Sequence, residues 1–183
     1  ACGLRPPLMH NVRPPMNFSV SPIAEEHIDG FHAAVDVVAR ERRYLAFLEA
    51  PAIEQCAAFV RENIRLDVPQ FVALVEGNVV GWCDAIPVSR PVHAHSATLG
   101  MGVVPRYRRA GIGSALIHVT LERVRVKGFI RVELTVREHN TNAIELYRKV
   151  GFLQEGVKRN AVRIGGVYEN LICMALLFDE WAV

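Results

Sequence analysis

Cysteine is scarce and scattered. Cys2, Cys56, Cys83 and Cys173 stand far apart, with no CxxC pair among them. Such spacing offers neither a zinc ligand set nor the dense framework of a disulfide-stapled domain. No apolar run approaches the roughly 20 residues that a membrane-spanning helix needs. No charged-then-apolar leader opens the sequence,. An excess of one charge is missing too: 21 Lys and Arg face 19 Asp and Glu, a formal net charge of +2. That balance is too mild to imply a nucleic-acid partner. Repeats and low-complexity tracts are absent. The expectation from these absences is a cytoplasmic protein with no metal, no membrane contact and no nucleic-acid partner.

What is present fits one globular domain. The 183 residues are 51% hydrophobic and 22% charged, enough chain to bury a full core,. Residues 1–16, ACGLRPPLMHNVRPPM, hold four prolines and no apolar period. They read as an extended arm, or as residues upstream of a start at Met16, with the domain over 17–183.

Periodicity then gives an element order. Phe18 and Val20 mark a short strand, and Ser21-Pro22 reads as a helix cap and first turn,. Ile28, Phe31, Val35 and Val38 recur at helical spacing, predicting a helix over 23–42,. A second helix starts at Pro51, with Ile53, Cys56, Ala57, Val60 and Ile64 on one face. The stretch 43–50 between them has no assignable period. Phe71–Val75 and Val79–Ile86 are β-rich and flank Gly77-Asn78, a hairpin signal,. His95–Val104 is a third β-rich run. Residues 110–127 form the longest helix, with Ser114, His118, Glu122 and Arg125 as one narrow polar stripe; most of the remainder is apolar, which predicts packing on more than one side,. Val132, Leu134 and Val136 alternate with polar residues as a strand. Thr141–Val150 is a short helix ended by Gly151, and strands near 152–160 and 167–178 follow, joined at Gly165-Gly166,. A helix crossing from the His95–Val104 run to the Val132–Val136 strand requires those two to be parallel. The expected fold class is therefore α/β: a mixed, mostly antiparallel sheet of about seven strands with helices on both faces.

Two constellations carry chemistry. The first runs Val103-Val104-Pro105-Arg106-Tyr107-Arg108-Arg109-Ala110-Gly111-Ile112-Gly113-Ser114: a strand end, a basic loop with two glycines, and the start of a long helix. The first N–H groups of a helix lack internal partners and carry the positive end of its dipole. Glycines there leave the backbone open to a diphosphate, and arginine adds charge. A dinucleotide fingerprint would need a small residue at Leu116, and no Gly-Lys-Ser/Thr is present,. A tight turn on a basic surface is the plain alternative.

The second is Asn140-x-x-Ala143-x-x-Leu146-Tyr147-x-Lys149-x-Gly151-Phe152. Together with Arg108-x-x-Gly111-x-Gly113, in this order and spacing, it resembles the paired signatures of the GNAT superfamily of N-acetyltransferases. The likeness is densest over 95–178. Gly81-Trp82-Cys83-Asp84 and Glu155-Gly156-Val157-Lys158-Arg159 are similar to bacterial small-amine and amino-acid acetyltransferases.

The resemblance implies an enzyme that moves an acetyl group from acetyl-coenzyme A to a primary amine, with the two parallel strands splayed apart. It implies that Arg108, Arg109, Ala110, Gly111, Ile112, Gly113 and Ser114 hold the diphosphate. Met101, Val103 and Asn140 would meet the pantetheine arm, and Tyr147 would protonate the departing thiolate. A tyrosine packed in the core and a plain N-cap asparagine are the bland alternatives. Many members of this family carry a carboxylate in the stretch matching Ala97-Thr98-Leu99-Gly100, where this sequence has Thr98. By residue type, Asp84 or His95 would replace that base, although either also reads as an ordinary surface group. Tyr44 and Glu49 would line the acceptor pocket. Cys83, mid-strand with no neighbouring His, reads as buried, which favours direct attack in a ternary complex. The acceptor is expected to be a small molecule such as an amino acid. Acetylation of a protein N-terminus and a coenzyme-binding sensor remain open, and family members often form dimers through their last strands.

Overall fold

The computed structural model describes residues 16–178, so residues 1–15 of the predicted 1–16 arm and residues 179–183 of the predicted 17–183 domain lie outside the described residues. Met16 itself packs against the core, so the domain takes in one residue more than the expected boundary. The order is β1 (Ser19–Pro22), α1 (Ile28–Arg40), α2 (Ile53–Arg65), β2 (Gln70–Val75), β3 (Asn78–Pro87), β4 (Ser96–Val103), α3 (Ile112–Val126), β5 (Arg131–Arg137), α4 (Thr141–Lys149), β6 (Leu153–Ile164) and β7 (Val167–Leu177). The sheet runs β1-β2-β3-β4-β5-β7-β6. Only β4 and β5 pair in parallel, and every other neighbour is antiparallel.

Three local expectations differ. Ser21 and Pro22 belong to β1 rather than capping a helix, because Ile23 N–H still bonds Gln70 of the sheet at 3.0 Å. A short 3-10 turn, Glu25–His27, then leads into α1. The β2–β3 turn is made by Glu76 and Gly77, not Gly77-Asn78: both have positive φ, 50° and 78°, as a tight two-residue hairpin requires,. β6 continues to Ile164, beyond the expected end near 160, since shifts in register let it follow β7 to its tip.

The helices cover opposite faces. Phe31, Val35 and Val38 of α1 and Val60 of α2 pack on Val72 and Trp82. Leu116, Ile117 and Val124 of α3 and Ile144 and Tyr147 of α4 pack on Ala73, Cys83, Leu99, Leu134 and Val136. Along α3 only His118, Glu122, Arg125 and Val126 are exposed, so it is covered on most of its circumference. Alternation along β3 thus sends Cys83 to the α3 face and Trp82 and Asp84 to the α1 face. One glycine is fixed by this packing. A Cβ on Gly102 of β4 would come within 2.4 Å of the Trp82 indole, which lies flat across that position.

β4 and β5 pair over three positions only, Ser96 with Arg131, Ala97 with Val132 and Thr98 with Glu133. Beyond them β4 pairs only with β3 and β5 only with β7. The two strands part, and a wedge opens between Leu99–Val103 and Leu134–Arg137.

Candidate active site

The loop from β4 to α3 is built to receive an anion. Arg109 and Gly111 both adopt left-handed backbone, at φ 65° and 83°. Alternating handedness of this kind turns successive N–H groups into one concavity. Ala115 N–H is the first of α3 to bond back, to Gly111 O at 3.0 Å. The N–H groups of Arg109 through Ser114 have no partner among the described residues. A Cβ at Gly111 would meet nothing within 4 Å, so the space over this backbone is open. A diphosphate fits here: six free donors, a helix dipole and no obstructing side chain. Arg109 is exposed and bonds Asn142 at 2.9 Å. Arg108 is turned away, with its guanidinium on Val103 O and Glu41.

The wedge continues this cradle. Met101 and Val103 stand on its β4 side, with their side chains packed into the α3-face core. Asn140 is the N-cap of α4, its Oδ1 accepting from Ala143 N–H at 3.4 Å. Gly151, at φ 104°, ends α4, and Phe152 N–H returns to Tyr147 O at 2.9 Å,. That closure fixes the tyrosine's backbone.

Two ionisable groups approach the sheet from opposite faces. Tyr147 is 7% exposed on the α3 face, its ring tilted against Phe152 at 5.7 Å. Its hydroxyl has no hydrogen-bond partner among the described residues, and burial pushes its pKa well above the ordinary phenol value. It is neutral and a donor across any ordinary pH. Asp84, on β3, is also 7% exposed, and its Oδ1 lies 3.1 Å from where a Gly100 Cβ would be. The carboxylate therefore spreads over Gly100, two residues beyond the last β4–β5 pair, where the wedge begins. Burial pushes its pKa up to about 7, the range in which a carboxylate both accepts and releases protons.

The remaining candidates separate. His95 is exposed just before β4, at the closed end of the β4–β5 pair, where it lines a cavity of about 510 Å³ with Arg90, His93, Ser96, Arg131 and Glu133. At about 3.3 Å per strand residue it stands about 16 Å from Gly100 along the chain. Thr98 is exposed on the Asp84 face. The Cys83 thiol is fully buried, and that burial raises its pKa far from thiolate formation. Tyr44 stacks under Arg108 at 4.8 Å, while Glu49 is exposed and reaches Arg40 at 3.4 Å. Two residues that sequence reasoning passed over, Glu41 and Arg137, hold the base of the α1–α2 loop. No local pattern marks either one. Among the described residues no group of three or more His, Cys, Asp or Glu is placed to hold a metal, and no helix is long and apolar enough to cross a membrane.

Comparison with known proteins meets this geometry. Residues 34–152 match the model of the Acetyltransferase (GNAT) family. The L-amino acid N-acetyltransferase AaaT of Escherichia coli is 35% identical over 115 residues, 61% of this chain and 69% of that one. The [ribosomal protein bS18]-alanine N-acetyltransferase of Salmonella typhimurium is 28% identical over 92 residues, 50% of this chain and 62% of that enzyme. In fold, the phosphinothricin acetyltransferase of Sinorhizobium meliloti, solved with AcCoA, superposes with a TM-score of 0.85 at 19% identity, over 92% of each chain. YncA of Salmonella typhimurium, solved with its cofactor acetyl-CoA, gives 0.85 at 16% identity, covering 91% of this chain and 96% of that one. The open amide cradle, the parted parallel strands and the matched family model agree: the chain belongs to the GNAT family of acetyltransferases, acyltransferases whose co-substrate is acetyl-coenzyme A.

Proposed function

We propose that the protein acetylates the primary amine of a small molecule, such as an amino acid, by direct attack in a ternary complex. The observation that carries this reading is that two buried ionisable groups, Asp84 over Gly100 on one face of the sheet and Tyr147 on the other, flank the region where β4 and β5 part. An ammonium group has no lone pair, so Asp84 takes its proton, directly or through one water. The amine nitrogen then attacks the thioester carbonyl carbon; a C–N bond forms, the C–S bond breaks, and the electron pair leaves on sulfur. Tyr147 gives its proton to that thiolate, and the second proton shed by the nitrogen as the amide forms passes through solvent to restore the phenol. Backbone N–H groups in the wedge favour the charge that builds on the carbonyl oxygen. Cys83, buried and protonated, takes no acetyl group in this scheme. Similarity to AaaT supports an amino-acid acceptor, and similarity to the bS18 enzymes raises a protein N-terminus as the second reading.

A panel of amino acids, small amines and N-terminal peptides, supplied with acetyl-coenzyme A and read by thiol release, tests this. Turnover of free amino acids or amines is expected. Turnover of peptides alone would establish the second reading, and tight coenzyme binding with no turnover would make the protein a sensor.

The diphosphate is assigned to the backbone of Arg109–Ser114. Gly111→Val forces a β-branched residue to φ 83° and fills the open space over the donors,. Coenzyme A affinity measured by calorimetry should fall about tenfold or more. Wild-type affinity in that variant would move the site elsewhere. We further place a homodimer contact on the last two strands, where Leu153, Val157, Val167 and Tyr168 are exposed. Sedimentation should show a dimer that Tyr168→Asp weakens; a monomer at all concentrations would refute it.

A further inference from the structure

We propose that Arg108, Glu41 and Arg137 form a clamp that makes the setting of the α1–α2 loop depend on coenzyme occupancy. They act as positioning residues for the acceptor side, and Arg108 is not a ligand of the diphosphate. The inference rests on the coenzyme reading above.

Arg108 lies one residue before the left-handed Arg109 that begins the amide cradle. Its side chain is already engaged. Nε donates to Val103 O at 2.7 Å, Nη1 donates to Glu41 Oε2 at 2.9 Å, and Nη2 donates to Glu41 Oε1. The guanidinium plane also covers the Tyr44 ring at 4.8 Å. A fork held by both oxygens of a carboxylate is near its best arrangement. Drawing it to a diphosphate would leave half-buried Glu41 without its partner, a cost that the free backbone donors make needless.

Arg137 mirrors this on the other strand. It is 4% exposed; Nη1 donates to Arg42 O at 2.9 Å and Nη2 to Leu45 O at 2.9 Å, with Glu169 Oε2 at 3.4 Å from Nη1. Val103 is the last residue of β4 and Arg137 the last of β5. The two open lips of the wedge are thus tied to the same five residues, Glu41–Leu45. The far end of the loop is pinned separately to α1, by Ala50 N–H on Asp36 at 3.0 Å and by His32 on Pro51 O at 3.0 Å. Between these anchors Phe47 and Leu48 stand half exposed, while Tyr44, Leu45 and Ala50 on either side of them pack with Trp82 on the Asp84 face of the sheet.

A ligand lying in the wedge fixes both lips. The loop opens only if its anchors on those lips move, so filling the wedge removes the motion through which Glu41–Leu45 would swing. The coupling needs no change of shape, only the loss of a local opening. An acceptor entering over Asp84 then meets a loop already set.

Hydrogen exchange of the amides of residues 42–50, with coenzyme A alone as the probe, tests the clamp without a known acceptor. In the wild type, saturating coenzyme A should slow exchange there about fivefold or more. Arg108→Lys and Glu41→Gln should each abolish that slowing, while coenzyme A affinity by calorimetry stays within about threefold and the melting temperature is little changed. Slowing that persists in both variants, or that is missing in the wild type, overturns the proposal. So does a loss of affinity of about tenfold in Arg108→Lys with none in Glu41→Gln, because Arg108 would then be a diphosphate ligand. If Arg108→Lys does not fold, Glu41→Gln decides alone, since it keeps the side chain's shape while removing the charge and one of the two acceptors of the fork. Failure of wild-type protein to bind coenzyme A would instead sink the coenzyme reading itself.

Discussion

Asp84→Asn is expected to cut turnover about 100-fold or more and, at the same time, to make the folded protein more stable at pH 8. The two effects share one cause. Burial raises the carboxyl from its ordinary value of 3.8 to about 7. Between those values the unfolded chain carries the ionised form while the folded chain holds the proton. Stability therefore falls as pH rises from about 4 to about 7, and the penalty stays constant above. At about 1.4 kcal/mol per unit it reaches about 4 kcal/mol by pH 8. Asparagine has nearly the same shape and never ionises, so the variant escapes the penalty. Denaturant melts should show it about 2–4 kcal/mol more stable than wild type at pH 8 and no more stable at pH 4. The rate behaves oppositely. Wild-type kcat/KM should climb as pH passes about 7 and Asp84 becomes able to accept a proton,; the variant should lack that component of the rise. Undiminished turnover in Asp84→Asn would assign the proton to another group. Equal stability at both pH values would show that the carboxyl is not raised.

That carboxylate shows where sequence reading ended. Residue type alone offers both Asp84 and His95 as substitutes for the acid missing at Thr98. What separates them is depth: Asp84 is buried over Gly100, and His95 is exposed beyond the closed end of the strand pair. Depth depends on which helices cover which strands, and α1 covers β3 through contacts far apart in the chain. Features carried by the backbone were legible. Gly111 is needed at φ 83° and Gly151 at φ 104°, and few other residues serve in either place,. The crossover helix α3 requires β4 and β5 to run parallel, and they do,. The hairpin turn slipped by one position because Glu76, with no sequence mark of it, takes φ 50°. The clamp was invisible for a simpler reason. Arg108 meets Glu41 across 67 positions and Arg137 meets Arg42 across 95; locally Arg108 reads as part of the phosphate loop, and Glu41 and Arg137 read as surface charges.

Tyr147→Phe is expected to lower turnover about tenfold to a hundredfold with coenzyme affinity unchanged. The phenol's pKa is raised by burial, so it stays protonated throughout the working range and can serve only as a donor. It has no hydrogen-bond partner among the described residues, so its removal breaks no bond that holds the fold. The ring itself, packed on Phe152 in the main core, remains. Stability should therefore shift by less than about 1 kcal/mol. The hydroxyl matters only while the C–S bond breaks and charge gathers on sulfur. An interaction made only then lowers kcat and leaves substrate binding alone. The magnitude is set at the low end because a thiolate leaves fairly well without help. The leaving group itself offers a further check. Replacing acetyl-coenzyme A by an acetyl thioester whose thiol is more acidic should restore part of the variant's rate and change the wild type little. A variant with full turnover and wild-type sensitivity to the thiol would remove Tyr147 from the chemistry. A loss of coenzyme affinity as large as the loss of rate would recast it as a wall of the coenzyme site.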